Sequence, residues 1–226
     1  MFKTLKFKGN EENFWGIGDT HFRHSKNFIL EPRQFKSVEE HDSTLISRWN
    51  NLVKPTDTIF HLGDFVFNDP TGEHFMRFCN VLNFCNLFLL KGNHVSGHLQ
   101  TYRNELRKQF PNSVDEYNML NYEVYPLELK LNSCKSVFFL PEYAEIEING
   151  QQVVLSHYAL RSWNNMARGS ETWHGHEHGG DPRSSFGNTT NGKIVDLSIE
   201  NSKGPISFGE IRKIMDKKAY VSVGHH

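Results

Sequence analysis

The sequence predicts an α/β fold, and three observations support this prediction. Short apolar runs typical of buried strands alternate along the chain with segments whose apolar residues repeat at helical spacing. From Tyr122 onward the pattern becomes richer in strands. No stretch rich in glycine, proline or serine interrupts the chain, so we expect a single domain over residues 1–223.

Three short apolar runs predict strands in the first half of the chain. They are Phe14–Gly18, Thr58–Leu62 and Leu87–Leu90. In the second half, Glu142–Ile148 and Gln151–Ser156 flank Asn149-Gly150, a dipeptide strongly typical of a two-residue hairpin turn. We therefore expect an antiparallel pair there, and a further strand over Lys193–Ile199.

Helices are expected between these strands and near the end of the chain. Ser37–Val53 and Ser207–Lys217 each begin with a serine that is followed three residues later by a glutamate, which is a capping box. A third helix is expected to open with Asp69 as its N-cap and Pro70 as its first residue. His98–Phe110 is a fourth helical segment.

Composition and charge exclude several classes of protein. The formal net charge of −1 provides no field that would draw the chain to nucleic acid or to anionic membranes. No apolar run approaches the roughly 18 residues of a membrane span, and Met1–Asn10 lacks the apolar core of a signal peptide. Three cysteines do not suffice for a disulfide framework. We therefore expect a cytoplasmic protein that does not bind membranes and for which nucleic acid could only be a substrate.

Histidine is unusually frequent, with 13 residues in a chain of 226. The last two follow Gly224, and we interpret residues 224–226 as the remnant of a purification tag. His41 and His74 lie in predicted helices and are expected at the surface. Several others lie, together with aspartate and asparagine, just after apolar runs, and this placement indicates metal binding.

Seven polar side chains follow the carboxyl ends of apolar runs. They are Asp19, His21, Asp64, Asn93, His157, His176 and His178. Because ligands of open α/β sheets gather at the carboxyl ends of strands, we expect these side chains to converge at one edge. In each Asp-x-His or His-x-His triplet, the outer residues share a face and can bind one ion. Glycines at positions 18, 63, 92 and 175 precede the ligands, where a missing Cβ lets the backbone come close.

The number and type of these ligands predict two metal ions. Seven ligands are too many for one tetrahedral zinc site, but with one bridging carboxylate they form two sites of four protein ligands each. The mixture of carboxylate, imidazole and carboxamide suits manganese, iron, nickel or zinc better than calcium. Two ions about 3.5–4 Å apart are an arrangement that hydrolyses phosphate esters. Manganese is our first choice.

Five ordered blocks carry a resemblance to a known family. They are Asp19-Thr-His21, Gly63-Asp64, Gly92-Asn93-His94, Ser156-His157 and Gly175-His176-Glu-His178. In this order, each after a strand-like run, they resemble the calcineurin-like metallophosphoesterase superfamily, in particular its small members from bacteria and phages. The resemblance implies two packed mixed β-sheets flanked by helices, arranged as a four-layer αββα sandwich.

The resemblance also implies roles for these residues. The implied ligand sets are Asp19, His21 and His178 for one ion and Asn93, His157 and His176 for the other. Asp64 would bridge the ions, a hydroxide between them would attack phosphorus in line, and His94 would protonate the leaving group. Many members follow the Gly-Asn-His block with a carboxylate that orients the histidine, whereas this chain has Val95.

Residues near the blocks are candidates for binding the substrate. Arg23 and His24 follow the first block, and Arg161 follows His157 by a few positions. Each could contact a phosphate, and the alternative for each is loop packing or a salt bridge. Trp163 could stack on a base or belong to the core.

We expect a metal-dependent phosphoester hydrolase that acts on a small phosphodiester of nucleotide type. A phosphomonoesterase is the main alternative. A nuclease is less favoured, because the chain has no evident basic stripe. A non-catalytic binding scaffold of the same fold would be expected to lack ligands or His94, and this chain has all of them.

Overall fold

The computed structural model describes residues 4–94, 126–132 and 134–220, together with positions 101, 104 and 108. The chain forms two mixed β-sheets with helices packed against them, which confirms the predicted fold class. The three isolated positions are helical, in agreement with the predicted helix His98–Phe110, most of which lies outside the described residues. Val95 and the tag interpretation for residues 224–226 also lie outside them. No helix in the described ranges is long and apolar enough to cross a membrane.

The larger sheet has six strands. In spatial order they are β11 (Ile206–Ser207), β2 (Phe14–Ile17), β3 (Thr58–His61), β4 (Asn86–Leu90), β6 (Lys135–Leu140) and β5 (Leu127–Asn132). The four central strands run parallel, and the strand at each edge is antiparallel to its neighbour. The three strands predicted in the first half of the chain are therefore adjacent and parallel.

The smaller sheet has five strands. In spatial order they are β1 (Leu5–Phe7), β7 (Tyr143–Ile148), β8 (Gln151–Ser156), β9 (Glu171–His174) and β10 (Ile194–Asp196). Strands β7 and β8 form the predicted hairpin, and both turn residues, Asn149 and Gly150, have the positive φ that this turn requires. Strands β8, β9 and β10 run parallel, so their carboxyl ends share one edge.

Five helices are described in full. They are α1 (Asn27–Leu30), α2 (Val38–Leu52), α3 (Glu73–Val81), α4 (Ile199–Ser202) and α5 (Phe208–Met215). Helices α2 and α5 confirm two sequence predictions together with their caps. The Ser37 hydroxyl accepts a hydrogen bond from the Glu40 N–H, and the Ser207 hydroxyl accepts one from the Glu210 N–H.

Two element boundaries differ from the predictions. Helix α3 begins at Glu73 rather than at Pro70. Asp69 lies four residues before the helix, and its carboxylate caps the first turn by accepting the Phe75 N–H at 2.7 Å. The strand predicted over Lys193–Ile199 is shorter and ends at Asp196. The Asp196 carboxylate accepts the Ser198 N–H at 2.8 Å, which turns the chain into α4.

The main core lies between the two sheets. Phe60 of the six-stranded sheet and Trp173 of the five-stranded sheet belong to one buried cluster. Ile59 points to the opposite face, where it shares a second cluster with Trp49 of α2 and Phe75 of α3. Both faces of the central parallel strands are therefore buried, as expected for such strands.

The outer face of the five-stranded sheet carries a smaller cluster. Val154 and Ile194 pack there with Trp163, which is 9% exposed. The Trp163 ring N–H donates to the carbonyl oxygen of Ser170 at 3.0 Å. Of the two roles considered for Trp163, the structure therefore favours the core, because a ring packed in this way has no free face for a base.

The hairpin turn gives a test of backbone strain. Gly150 has φ of +89°, and a Cβ built there meets no atom within 4 Å, so Gly150→Ala changes only the backbone energy. We expect a loss of roughly 1 kcal/mol in the free energy of unfolding, measured by urea denaturation. Gly187→Ala is the matched control, because its Cβ also meets open space and its φ lies outside the left-handed region. Equal losses in both variants would contradict the assignment of strain to the turn.

Candidate metal centre

The seven sequence-predicted ligands lie at the carboxyl edges of the two sheets, where the sheets meet. Asp19 and His21 follow β2, Asp64 follows β3, and Asn93 follows β4, while His157 follows β8, and His176 and His178 follow β9. Backbone hydrogen bonds join the loops within the six-stranded sheet and also across the seam between the sheets. Asp19 N–H donates to the Gly63 carbonyl at 3.1 Å, and Gly18 N–H donates to the Leu197 carbonyl at 2.8 Å. These hydrogen bonds hold the ligand loops together without help from a metal ion.

One group of ligand atoms comes from Asp19, His21 and His178, and these atoms all lie within 4.8 Å of one another. His21 Nε2 and His178 Nε2 are 3.3 Å apart, and each is 3.9 Å from Asp19 Oδ1. Asp19 and His21 are buried, whereas His178 is partly exposed. The three atoms surround one point and could hold one ion there.

A second group lies beside the first. Asp19, Asp64 and His157 bring their ligand atoms within 4.8 Å of one another. Asp64 Oδ2 is 3.6 Å from His157 Nε2 and also 3.6 Å from His21 Nε2, so it lies between the two groups. Asn93 Oδ1 is 2.6 Å from His157 Nε2 and 3.0 Å from His176 Nδ1. All seven predicted residues therefore form one continuous cluster.

The unpaired atoms of this cluster fit divalent cations. Asp19 Oδ1 is buried and has no hydrogen-bond partner in the described part of the chain. Burial raises the pKa of Asp19 well above its usual value, although the nearby His178 opposes the shift. A bound cation would supply the missing partner and stabilise the carboxylate. Burial and the charge of Arg33 lower the pKa of His21 well below its usual value, which keeps a ring lone pair free for an ion.

His157 gives a second reason to expect a cation. Its Nδ1 is 2.8 Å from the carbonyl oxygen of Leu62, which can only accept, so Nδ1 carries the ring hydrogen. Burial lowers the pKa of His157, against the opposing effect of Asp64, so Nε2 remains unprotonated. This lone pair faces the oxygen of Asn93. Two acceptors that face each other are repulsive until a cation lies between them.

The comparison with known families agrees with this site. The family model described as calcineurin-like phosphoesterase matches residues 13–208. The chain belongs to the calcineurin-like phosphoesterases. The family confirms the resemblance drawn from the five blocks, and it makes this chain a member of a phosphoesterase family with candidate metal-binding groups.

The names of two similar proteins and of one similar solved structure state no function for them. An uncharacterized protein of Methanocaldococcus jannaschii is 35% identical over 78 residues, which are 34% of this chain and 44% of that protein. The Gene 66 protein of Mycobacterium phage L5 is 36% identical over 62 residues, which are 27% of this chain and 29% of that protein. This chain thus covers less than half of the length of either relative. A solved structure of a protein of unknown function from Aquifex aeolicus aligns with a TM-score of 0.50 at 22% identity, covering 89% of this chain and 98% of that one, and shows a shared fold.

Backbone strain in this chain concentrates at the candidate metal centre. Many of the non-glycine residues with positive φ belong to the cluster or follow it directly. They are Asp19, His21, Arg23, Asp64, His176 and His178. A left-handed conformation costs a non-glycine residue roughly 1–2 kcal/mol, and such costs persist mainly where surrounding structure enforces them, often at functional sites. The sequence gives no signal for these backbone angles.

At three of the four glycines singled out from the sequence, neighbouring atoms lie too close to leave room for a Cβ. A Cβ at Gly92 would overlap Asp64 Oδ1, and one at Gly175 would overlap Asp19 Oδ2. A Cβ at Gly63 would lie 2.6 Å from His157 Nδ1, and its φ is +104°. Gly18 differs, because its Cβ would meet neighbours only at 3.4 Å or more.

His94 lies at the mouth of the site. Its ring is exposed, with its centre 5.4 Å from that of His21 and 5.3 Å from that of Phe67. Its backbone N–H donates to Asp64 Oδ1 at 2.7 Å. Asp64 therefore holds the backbone of His94, and the rings of His21 and Phe67 lie beside its ring.

The three predicted substrate contacts occupy different environments. Arg23 is exposed beside the first block, and Arg161 is exposed with no hydrogen bond or ion pair to the described residues. His24 is only 1% exposed, and its ring centre is 3.7 Å from that of Phe67. Burial is the main cause that lowers its pKa to about 4. The prediction that His24 contacts phosphate is therefore not supported, since a buried, uncharged ring packs the loop instead.

Sequence reasoning missed a set of charged and polar residues behind the ligands. They are Arg33, His41, Asp42 and Glu200. Burial would raise the pKa of Glu200, but its hydrogen bond with His178 and the charge of Arg33 outweigh burial and lower it to about 2. His41 is fully buried, so the expectation of a surface position was wrong. Arg33 lies in an irregular turn where no periodicity or motif marks it.

The glycine before Asn93 gives a test of the ligand geometry. Gly92→Ala would displace Asp64, because the new Cβ would overlap its Oδ1 and lie 2.6 Å from its backbone nitrogen. We expect a loss of about 1–3 kcal/mol in stability and reduced metal content after loading with Mn²⁺ and desalting, measured by atomic emission. Gly18→Ala is the control and should keep its metal. If both variants retain equal metal, the close packing of Gly92 against Asp64 does not shape the metal site.

Proposed function

We propose that this phosphoesterase hydrolyses a small phosphodiester of nucleotide type with the help of two divalent metal ions, with Mn²⁺ as the first choice. The observation that carries the proposal is the cluster of facing acceptor atoms around Asp19 Oδ1, which has no hydrogen-bond partner in the described ranges. Such a cluster is stable only when cations neutralise it. Its position at the edge where two sheets meet opens it to a substrate from one side.

The proposed roles divide the cluster between two ions. The ligands of the first would be Asp19, His21 and His178, and those of the second would be Asn93, His157 and His176. Asp64 would contact both ions, which is supported by the equal 3.6 Å distances from its Oδ2 to His21 Nε2 and His157 Nε2. When bound, the ions would activate water and stabilise negative charge on the phosphoryl oxygens.

The protein residues would complete the reaction. His94 is exposed at the mouth of the site, where its ring could donate a proton to the oxygen that leaves phosphorus. Asp64 holds the backbone of His94 through Oδ1. The same carboxylate would therefore bind a metal ion and position His94, the proposed proton donor.

The surroundings of the site support a nucleotide-type diester. Tyr158 is 45% exposed, and its ring centre is 4.5 Å from that of His176. Phe28 is 70% exposed and lies near the buried His24. Exposed aromatic rings offer stacking surfaces for bases. The buried guanidinium of Arg33 already donates to protein acceptors, so it cannot add a positive charge for a terminal phosphate.

A phosphomonoesterase is the second candidate, and Arg23 is the observation that favours it. Arg23 is exposed two residues after His21, and its backbone is held by Asp42 at 3.1 and 3.2 Å. A guanidinium held there could clamp the second negative charge of a monoester.

Turnover of paired aryl substrates tests the proposed function. Protein stripped of metal and reloaded with Mn²⁺ should hydrolyse an aryl phosphodiester faster than the matching phosphomonoester. Asp64→Ala should lose at least about 100-fold in rate, because it removes the contact shared by both ions. Faster hydrolysis of the monoester would establish the second candidate. No hydrolysis of either ester by metal-loaded wild-type protein would contradict both.

His94 gives a separate test of the acid role. His94→Ala should bind both Mn²⁺ ions and lose about 100-fold or more in kcat with a poor leaving group. The loss should be smaller for a leaving group such as nitrophenolate, which needs little protonation. The rates are measured across aryl esters of graded leaving-group pKa. A uniform loss along the series would exclude proton donation by His94.

A further inference from the structure

The side chain of Arg33 is buried beside the metal centre and is bound on several sides by the protein. It is 3% exposed. Its Nε donates to Glu200 Oε1 at 2.7 Å. One terminal nitrogen donates to the Thr20 carbonyl at 3.0 Å and to His41 Nε2 at 2.9 Å. The other donates to the Asp19 carbonyl at 2.8 Å and lies 3.5 Å from His178 Nδ1, a much longer contact than the 2.7 Å between that atom and Glu200 Oε1. Arg33 therefore binds the backbone of the first ligand block as well as two side chains.

Glu200 connects Arg33 to a candidate ligand. Glu200 Oε1 is 2.7 Å from His178 Nδ1, and a carboxylate can only accept a hydrogen bond. Nδ1 therefore carries the ring hydrogen of His178. In the neutral ring, Nε2 then keeps its lone pair on the side of Asp19 and His21, where an ion would lie.

His41 and Asp42 connect Arg33 to the loop on the other side. Because Arg33 donates to His41 Nε2, the ring hydrogen of His41 lies on Nδ1, which donates to Asp42 Oδ1 at 2.9 Å. Both carboxylate oxygens of Asp42 accept the backbone N–H of Arg23. These bonds hold Arg23 at φ of +69°, a conformation that a non-glycine residue rarely adopts.

We propose that Arg33 is a positioning residue that couples the metal ligand His178, through Glu200, to the substrate-side loop at Arg23, through His41 and Asp42. The inference rests on the proposed function for His178, which it treats as a metal ligand, and on the second candidate function for Arg23, which it treats as a phosphate contact. Arg33 itself touches neither an ion nor the substrate. Through Glu200 it fixes the tautomer of His178, and through His41 and Asp42 it fixes the backbone of Arg23.

The test uses two near-isosteric variants that each remove one end of the network. Glu200→Gln alters the metal end, and Asp42→Asn alters the loop end. Arg33→Lys keeps the charge but cannot reproduce the planar fork of donors. Glu177→Gln is the matched control, since it removes the same charge one residue from His178 and its carboxylate has no hydrogen-bond partner among the described residues. Calorimetry measures the affinity for Mn²⁺ on metal-free protein and the affinity for inorganic phosphate on Mn²⁺-loaded protein.

The two end variants are expected to lose different affinities. Glu200→Gln should weaken the binding of one of two Mn²⁺ ions by about 10–100-fold and leave the affinity for phosphate at saturating Mn²⁺ unchanged. Asp42→Asn should weaken phosphate binding several-fold and leave both Mn²⁺ affinities unchanged. Arg33→Lys should show both losses, and Glu177→Gln should show neither. Thermal melting of each variant identifies a general loss of structure, which would shift both affinities together.

Other outcomes would overturn the inference. If Glu200→Gln binds both ions as tightly as the wild type, Glu200 does not position His178. Arg33 does not couple the two ends if Arg33→Lys weakens only the affinity for Mn²⁺ or only the affinity for phosphate. The same holds if Glu200→Gln and Asp42→Asn each weaken both affinities. None of these measurements needs turnover. A wild-type protein that binds two Mn²⁺ ions but hydrolyses no ester would defeat the proposed function and leave the test of the network standing.

Discussion

Acceptor atoms that face one another across the seam between the sheets are the constraint on which the site depends. Asp19 Oδ1 is buried and has no hydrogen-bond partner among the described residues, and the Nε2 atoms of His21 and His178 are only 3.3 Å apart beside it. On the other side, the lone pair of His157 faces the oxygen of Asn93. Without a cation, these atoms repel one another or take up protons, and burial makes either outcome costly. The strained backbone and the close glycines hold together atoms that only bound cations would stabilise.

The free energy gained when the two sheets fold opposes this repulsion. Apolar residues on both faces of the central strands fix where each strand ends, and the ligand loops leave from those ends. Further bonds cross the seam close to the ligands. The His157 ring donates to the Leu62 carbonyl, and Asp19 Oδ2 accepts the backbone N–H of His176 at 2.9 Å. Each of these bonds joins a loop of one sheet to a loop of the other, so the candidate ligands come together only when both sheets are in place.

The sequence predicts the ligands much better than the network behind them, for a physical reason. Metal ligands lie directly after apolar runs, so position along the chain indicates position in space, and the seven predicted residues do form one cluster. Arg33 and Asp42 reach the site through side chains from a turn and from the second turn of α2, where no pattern marks such contacts. Boundaries such as the start of α3 were missed because Asp69 caps the helix from outside it. The roles of the individual ligands remain proposals.

Charge explains why a buried arginine is placed behind the ligands. Glu200 alone would put an extra negative charge against His178, and an unpaired carboxylate buried there would be costly. Arg33 neutralises it at 2.7 Å, so Glu200 can fix the His178 ring without adding net charge beside the candidate metal site. The same guanidinium binds the carbonyl oxygens of Asp19 and Thr20, which follow a strand of the six-stranded sheet, whereas His178 follows a strand of the five-stranded sheet. One side chain therefore balances the charge of the histidine's partner and joins the two sheets at the point where their ligands must meet.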